Sequence, residues 1–480
     1  MKKNNYDLII LGASASGISA AIQAARNKLK VAVIEESISI GGMITAAGVS
    51  AFDGNHLIAG GIFKEFRDKL RNYYNRDILD TGWVSNTLFE PEVGIEILYS
   101  MIDENYCDLY LDCNHIQINK IGNNELSIDS VFFNQANRQY QFKSNYFILA
   151  DEFGDAIYHL NLQNHYGLEK ELDAPYELKH PQDFTYNAVL QFDNKIKVID
   201  EYPLWTKEGE FAGIIGNPEI SLTKMLEYGM LPNNKIMLNW PIKGNDYYGN
   251  YFIEDRQSMF IKAKEKTMRL FKLIQSSVDL SCNLRLSDNS YPLSKDKLPY
   301  IPYIREARRI YGNETLSIED ITNNKIFKTA IAVGDYPLDH HRDLDEAYNK
   351  IDFPKIHPFS VPFGSLIPLR TKNILVVEKS ISVSGLVNGC TRLQPVVMQL
   401  GQVAALAVYL AKKKKICVNE INIEELQDLI LDNNGYLYPT HDVSLKNPKF
   451  KDTQIAIREG SIKLGYLNEG WVNKSYCINA

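Results

Sequence analysis

Residues Tyr6 to Glu36 constrain this chain more than any other stretch. Tyr6 to Leu11 (YDLIIL) is a short apolar run, as expected of a parallel strand covered on both faces. GASASG comes next, then ISAAIQAARNKL, whose small and apolar residues recur at helical spacing. A second apolar strand, Lys30 to Ile34, ends in Glu35 and Glu36. Strand, glycine turn, helix, strand and acid is the order of a right-handed βαβ unit that binds a dinucleotide. Gly12 lets the chain turn sharply off the strand, and Gly17 lets the helix pack close to it. The first turn of the helix, around Ser14 and Ser16, offers N–H groups and a partial positive charge to a pyrophosphate. Glu35, with Glu36 beside it, stands where an acid accepts hydrogen bonds from the adenosine ribose. Ser14 replaces the middle glycine of the fingerprint and is small enough to tolerate a nearby phosphate.

A glycine pair downstream favours FAD over NAD. Gly41, Gly42 and Met43 come directly after the ribose acid, where two glycines let backbone approach pyrophosphate and flavin. No second glycine fingerprint occurs in mid-chain, so no NAD(P)H-binding module is expected. After Cys107 the runs DLYLDCNHIQIN, LSIDSVFFN and RQYQFKSNYFILAD predict a small antiparallel sheet. Its last run returns the chain to the nucleotide-binding sheet and ends at Asp151, with a helix beginning in EFGD. Residues 160 to 300 lack βαβ order. Within them, Asn239 to Phe252 combines Trp240, Asp246, Tyr247 and Tyr248, either as an ordinary aromatic turn or as a flavin-facing loop. Further on, Asn373 to Glu378 predicts a strand, Gly385 and Gly389 a small-residue loop, and Pro395 a helix start. That helix N-terminus, with Arg392 one turn upstream, suits negative charge on a reduced flavin. The apolar run Val396 to Leu410 is interrupted by Gln399, Gly401 and Gln402, which predicts a core helix. The lysines from Lys412 suit its C-terminal end.

Taken together, these blocks resemble the FAD-dependent oxidoreductase family whose FAD domain is of the glutathione-reductase type. GGMITAAG, NWPIKGNDYY, PYIREARRIYGNETLSIEDI, VGDYPLDHHR, VPFGSLIP and NGCTRLQPVVMQLGQVAA lie in the family's order, to about residue 411. The resemblance implies FAD-binding positions at Gly12, Ser14, Gly17, Glu35, Gly41, Gly42 and Met43. It implies a motif beside the flavin ring at Arg392, Gln394, Pro395, Gly401 and Gln402, and an Asp-x-His element, Asp339 and His341, near the active site. Besides Ser14, the chain departs from the pattern in DEFGD (Asp151 to Asp155). There the family has threonine and glycine between the acids, and Glu152 and Phe153 are larger. The expected fold class is α/β. A Rossmann-like FAD-binding domain is split over 1–160 and 301–420, an α+β substrate or cap domain is inserted over 161–300, and a helical appendix occupies 421–480.

A flavin dehydrogenase acting on an alcohol or amine needs a base for the second hydrogen, and histidine is the natural one near neutral pH. His340 and His341 come after the turn YPLD; the resemblance selects His341, with Asp339 to orient it and Tyr247, Tyr336 and Asp246 as lesser candidates. Arg305, Arg308 and Arg309 are expected on a charged helix, in structural ion pairs. The expected reaction moves a hydride between flavin N5 and a small organic substrate at a C–OH, C–N or C–C bond, with an electron acceptor as second partner. An FAD-dependent hydroxylase and a non-catalytic flavin-binding accessory protein stay open as alternatives. The net charge of −7 offers no basic field for nucleic acid. Six cysteines, with no CxxC and no zinc-like spacing, give no metal site and suggest reduced thiols in the cytoplasm. No signal peptide or membrane span is expected. His56 and the cysteines are the candidate attachment points were the flavin covalent, and the tail from Tyr438 is expected to serve packing or homo-oligomerisation.

Overall fold

The computed structural model describes residues 2–79, 85–122, 124–170, 177–199, 209–214, 221–240, 243–342, 351–469 and 472–479. The chain opens with β1 (Lys2–Asn5), β2 (Leu8–Leu11), α1 (Ala15–Arg26) and β3 (Val31–Ile34). Next come β4 (Ala51–Asp53), α2 (Gly61–Tyr73), β5 (Ser85–Leu88) and α3 (Pro91–Met101), with β4 antiparallel to β5. Strands β6 (Cys107–Tyr110), β7 (Asn114–Ile121), β8 (Ser127–Gln135), β9 (Arg138–Lys143) and β10 (Tyr146–Leu149) lead to α4 (Asp155–His159). As expected, β7, β8 and β9 form an antiparallel sheet, and β10 returns to pair in parallel with β2.

The middle of the chain is built differently. It holds β11 (Asn164–His165), β12 (Phe184–Thr185), β13 (Ala188–Gln191), α5 (Leu222–Tyr228), β14 (Met230–Leu231) and β15 (Lys235–Leu238). After these come β16 (Asp246–Tyr247), α6 (Arg256–Ser276), β17 (Arg285–Leu286) and β18 (Arg309–Ile310). Strands β14, β15, β13 and β17 make one antiparallel sheet, against which α6 packs Leu270, Leu273 and Ile274. β12 pairs with β16 and fixes Asp246 opposite Thr185. Arg305, Arg308 and Arg309 do not form the expected helix: they lie in an extended segment that runs into β18. Pro241 and Ile242 of the aromatic loop lie outside the described residues.

The last third supplies α7 (Ile318–Thr322), β19 (Ala330–Gly334), β20 (Phe359–Pro362), β21 (Ile374–Val376), α8 (Gly385–Thr391) and α9 (Gln394–Lys414). It closes with α10 (Ile423–Asp432), α11 (Phe450–Arg458) and an antiparallel hairpin of β22 (Ile462–Glu469) and β23 (Val472–Asn479). The expected loop around Gly385 and Gly389 is the helix α8. The tail is helical as expected, and the hairpin is an addition to that expectation.

A parallel five-stranded sheet, ordered β21-β10-β2-β3-β6, is the centre of the molecule. Side chains alternate across it. Leu8 and Ile10 face the core shared with α1 and α9, whereas Ile9 and Leu11 face the antiparallel sheet through Val131 and Phe142. Because both faces are covered, the strand is apolar throughout, which is why YDLIIL is so legible. α9 is long and apolar enough to cross a membrane, but 89% of its most apolar stretch is buried inside the protein. It packs along α1, where a Cβ on Gly401 would overlap the Ser16 carbonyl.

Candidate active site

Three carboxyl-terminal strand ends, those of β2, β3 and β10, meet along one edge. There α1 begins, and crevices at such edges are the usual ligand sites of parallel sheets. Gly12 leaves β2 at φ +104°, and a Cβ on it would collide with the Ala150 backbone. Gly17 abuts the Gly12 carbonyl, so α1 sits against the strand as its sequence requires. Ser14 caps α1 by accepting the Gly17 N–H at 3.2 Å. Glu35 accepts the Ala13 N–H (2.5 Å) and the Ser37 N–H (2.7 Å), and burial pushes its carboxyl up to about 7. A cleft of about 590 Å³ runs from Gly12, Glu35 and Glu36 past Asp151 to Tyr186 and Phe260. Asp151 accepts the Asp155 N–H at 2.7 Å and so caps α4.

Further along the same edge, charge is packed densely. Lys379 lies fully buried and pairs with Glu378 (2.9 Å) and Glu152. Glu152 also accepts the Met43 N–H at 3.1 Å, beside Gly42. Sequence reading passes over Glu378 and Lys379, although an acid at the end of an apolar strand is the signal that singles out Glu35.

At the far end lies a second buried cluster. His341 donates from Nδ1 to Asp246 at 2.9 Å, and its Nε2 lies 3.3 Å from Asp339. Asp246 is held by Arg305 at 3.0 Å and by the Thr185 hydroxyl; Asp339 is held by Arg392 at 2.7 Å. The result is a chain of alternating charge: Arg305, Asp246, His341, Asp339, Arg392. Burial and Arg305 pull the His341 pKa down, but Asp339 and Asp246 outweigh them and hold it above its ordinary value. Burial opposes ionisation of both acids, yet Arg305 and His341 keep Asp246 well below the usual carboxylate range. His341 and Arg392 do the same for Asp339.

His340 turns away, donating from Nε2 to the Leu386 carbonyl at 2.9 Å; burial and then Arg342 lower it to about 3. Tyr247 lies on the opposite side of β16 from Asp246 and packs its ring against Phe184, outside the cluster. Tyr336 is buried within reach of the charges of Asp53 and Asp339. Gln394 and Pro395 start α9, and Gln394 accepts the Asp53 N–H at 3.1 Å. Gly401 and Gln402 lie deeper, at the helix crossing: Gln402 bonds to the Ile62 N–H and to Gln23. The arginines expected in structural ion pairs make them, Arg308 to Asp155 and Arg309 to Glu306 and Glu169. Arg305 also belongs to the His341 cluster. His56 is exposed, and all six cysteines are free.

The model for FAD dependent oxidoreductases matches residues 7–430 of this chain. The chain belongs to the FAD-dependent oxidoreductase family. It is an oxidoreductase, and its cofactor is FAD. No curated protein matches the sequence. Solved structures similar to this family member are distant. A geranylgeranyl bacteriochlorophyll reductase-like protein from Thermoplasma acidophilum is 10% identical, over 95% of this chain and 88% of that one, at TM-score 0.36. The FrdA chain of E. coli quinol fumarate reductase is 10% identical, over 90% and 74%, at 0.38. An L-proline dehydrogenase from P. horikoshii is 16% identical over 35% of this chain and only 24% of that chain, at 0.21.

The residues present fit FAD at both ends of the edge. Glu35 and the open cleft suit adenosine. Around the start of α9, Asp53 Oδ1 and Arg392 Nε are buried without a hydrogen-bond partner among the described residues, as expected where a polar ring system is to be held. Between the two ends, Glu378 and Glu152 stand against the pyrophosphate path.

Proposed function

We propose that this oxidoreductase moves a hydride between FAD and a small organic substrate at a C–OH, C–N or C–C bond, and that His341 handles the accompanying proton. When bound, FAD supplies the hydride donor or acceptor. The observation that carries the reading is the position of His341 between Asp246 and Asp339. Asp246, braced by Arg305, fixes the proton on Nδ1 and the orientation of the ring. The Nε2 contact is the longer one, so a substrate oxygen or nitrogen displaces Asp339 there more readily than Asp246 at Nδ1. Arg392 keeps the displaced Asp339 charge compensated.

Asp339 and Asp246 favour the protonated ring, the form that donates from Nε2 to a substrate receiving hydride; the reverse reaction uses the neutral ring, which rising pH favours. Six free thiols support the cytoplasm as its compartment.

The test uses holoprotein reduced with dithionite under argon and mixed with a panel of small enones, imines and keto acids, with flavin reoxidation as the readout. His341→Gln is expected to slow the productive oxidant by about 100-fold or more while leaving the oxidised flavin spectrum unchanged. If no oxidant reacts faster with the wild type than with His341→Gln, the reading is wrong.

A further inference from the structure

An FAD pyrophosphate needs backbone N–H donors from the helix start and from the glycine pair. In this chain one donor from each of those places already holds a carboxylate. Ser16, in the first turn of α1, gives its N–H to Glu378 at 3.1 Å. Met43, beside the glycine pair, gives its N–H to Glu152 at 3.1 Å. Lys379 joins the two acids, and Glu378 and Lys379 are almost wholly shielded from solvent. Two acids share one ammonium in this buried group, and a pyrophosphate brings further negative charge beside them.

Backbone geometry shows that this arrangement is imposed. Glu378 sits at φ +63°, a left-handed conformation that favours glycine and that a side-chain-bearing residue adopts only when its surroundings hold it there. The ion cluster and the N-terminus of α1 hold it.

We propose that the Glu378 carboxylate is a built-in occupant of the pyrophosphate position, so that FAD enters only by displacing it and is held as an exchangeable ligand rather than a permanent one. Binding energy then comes mainly from the adenosine end, through Glu35 and the open cleft, and the pyrophosphate adds little. The inference rests on FAD as the ligand and not on the hydride chemistry: it concerns affinity, and a barren substrate panel leaves it standing.

The experiment is a titration of flavin-free full-length protein with FAD, read by quenching of flavin fluorescence, with adenosine and AMP as competitors. For the wild type, FAD and AMP are expected to bind within a few-fold of one another. Glu378→Gly suits the left-handed backbone and removes the competitor; it is expected to tighten FAD by tenfold or more while leaving adenosine unchanged. Glu378→Gln keeps the volume and removes only the charge, so it stays informative should the glycine variant fold poorly; a several-fold gain is expected. Wild-type protein that keeps stoichiometric FAD through exhaustive dialysis, or Glu378→Gln binding FAD no more tightly than wild type, overturns the proposal.

Discussion

His341 has an acid on each side, and the two acids are braced unequally. Asp246 is enclosed and held by both Arg305 and Thr185, whereas the Asp339 side chain is about one-third exposed. Because its folded pKa is raised, the imidazolium stabilises the fold fully below the ordinary histidine value and loses that contribution as pH rises through the higher one. Asp246→Asn removes an attracting charge. A pH profile of reoxidation is therefore expected to fall off at lower pH in this variant than in the wild type. The same change leaves the Arg305 guanidinium buried opposite a neutral amide, at a cost of about 3–5 kcal/mol measurable by urea unfolding. At this scale the sequence is partly legible. Asp339 and His341 are visible as a motif, and Asp246 as a member of an aromatic loop. Their meeting is not, because nearly a hundred residues separate Asp246 from His341, and the distance is set by the pairing of β12 with β16 together with the Asp183 N–H that the His341 carbonyl accepts at 2.8 Å.

Between elements, the closest approach is that of α1 and α9. Gly401 faces the Ser16 carbonyl with no room for a methyl group, and a backbone atom cannot swing aside as a side chain can. Gly401→Val is expected to cost about 3 kcal/mol or more, at the upper end of overpacking penalties, and thermal melting of the purified variant checks it. Small residues along one face of α9 announce such an approach in the sequence. Two other elements hide themselves. α8 contains Gly385 and Gly389, poor helix formers that make a loop the natural reading. Each glycine faces another part of the chain, the Gly167 and the Asp339 carbonyls, so tertiary packing overrides propensity. The opposite error arises at 305–309, where dense charge suggests a solvated helical face. In the extended chain Arg305 reaches Asp246, Glu306 reaches Arg342 and Arg309, and Arg308 reaches Asp155, so the charges serve burial rather than solvation.

Across the whole molecule, several carboxyls are poised near neutrality. Burial raises Glu35, Asp53 and Asp335 each to about 7. Folding therefore binds protons between about pH 4.5 and 7, and flavin-free protein is expected to lose stability as pH rises through that window. Glu35→Gln is expected to flatten the slope, read as the urea midpoint at pH 5 and pH 8; an unchanged slope would count against Glu35 as a contributor. Asp335 is clasped from two sides: Asn473 of β23 in the tail donates to it at 3.1 Å, and Asn55, just after β4, at 2.5 Å. Nothing in the tail's composition announces that clasp, since its partners come from the two distant ends of the chain. The central sheet has the same long reach. β21 completes it beside β10, yet more than two hundred residues separate them. A ribosome adding roughly 5–20 residues per second leaves that strand edge of the nascent chain unpaired for roughly ten seconds or longer. During that interval the half-made protein presents an open template of backbone donors and acceptors, and its yield in a cell depends on what shields that edge until the last third arrives.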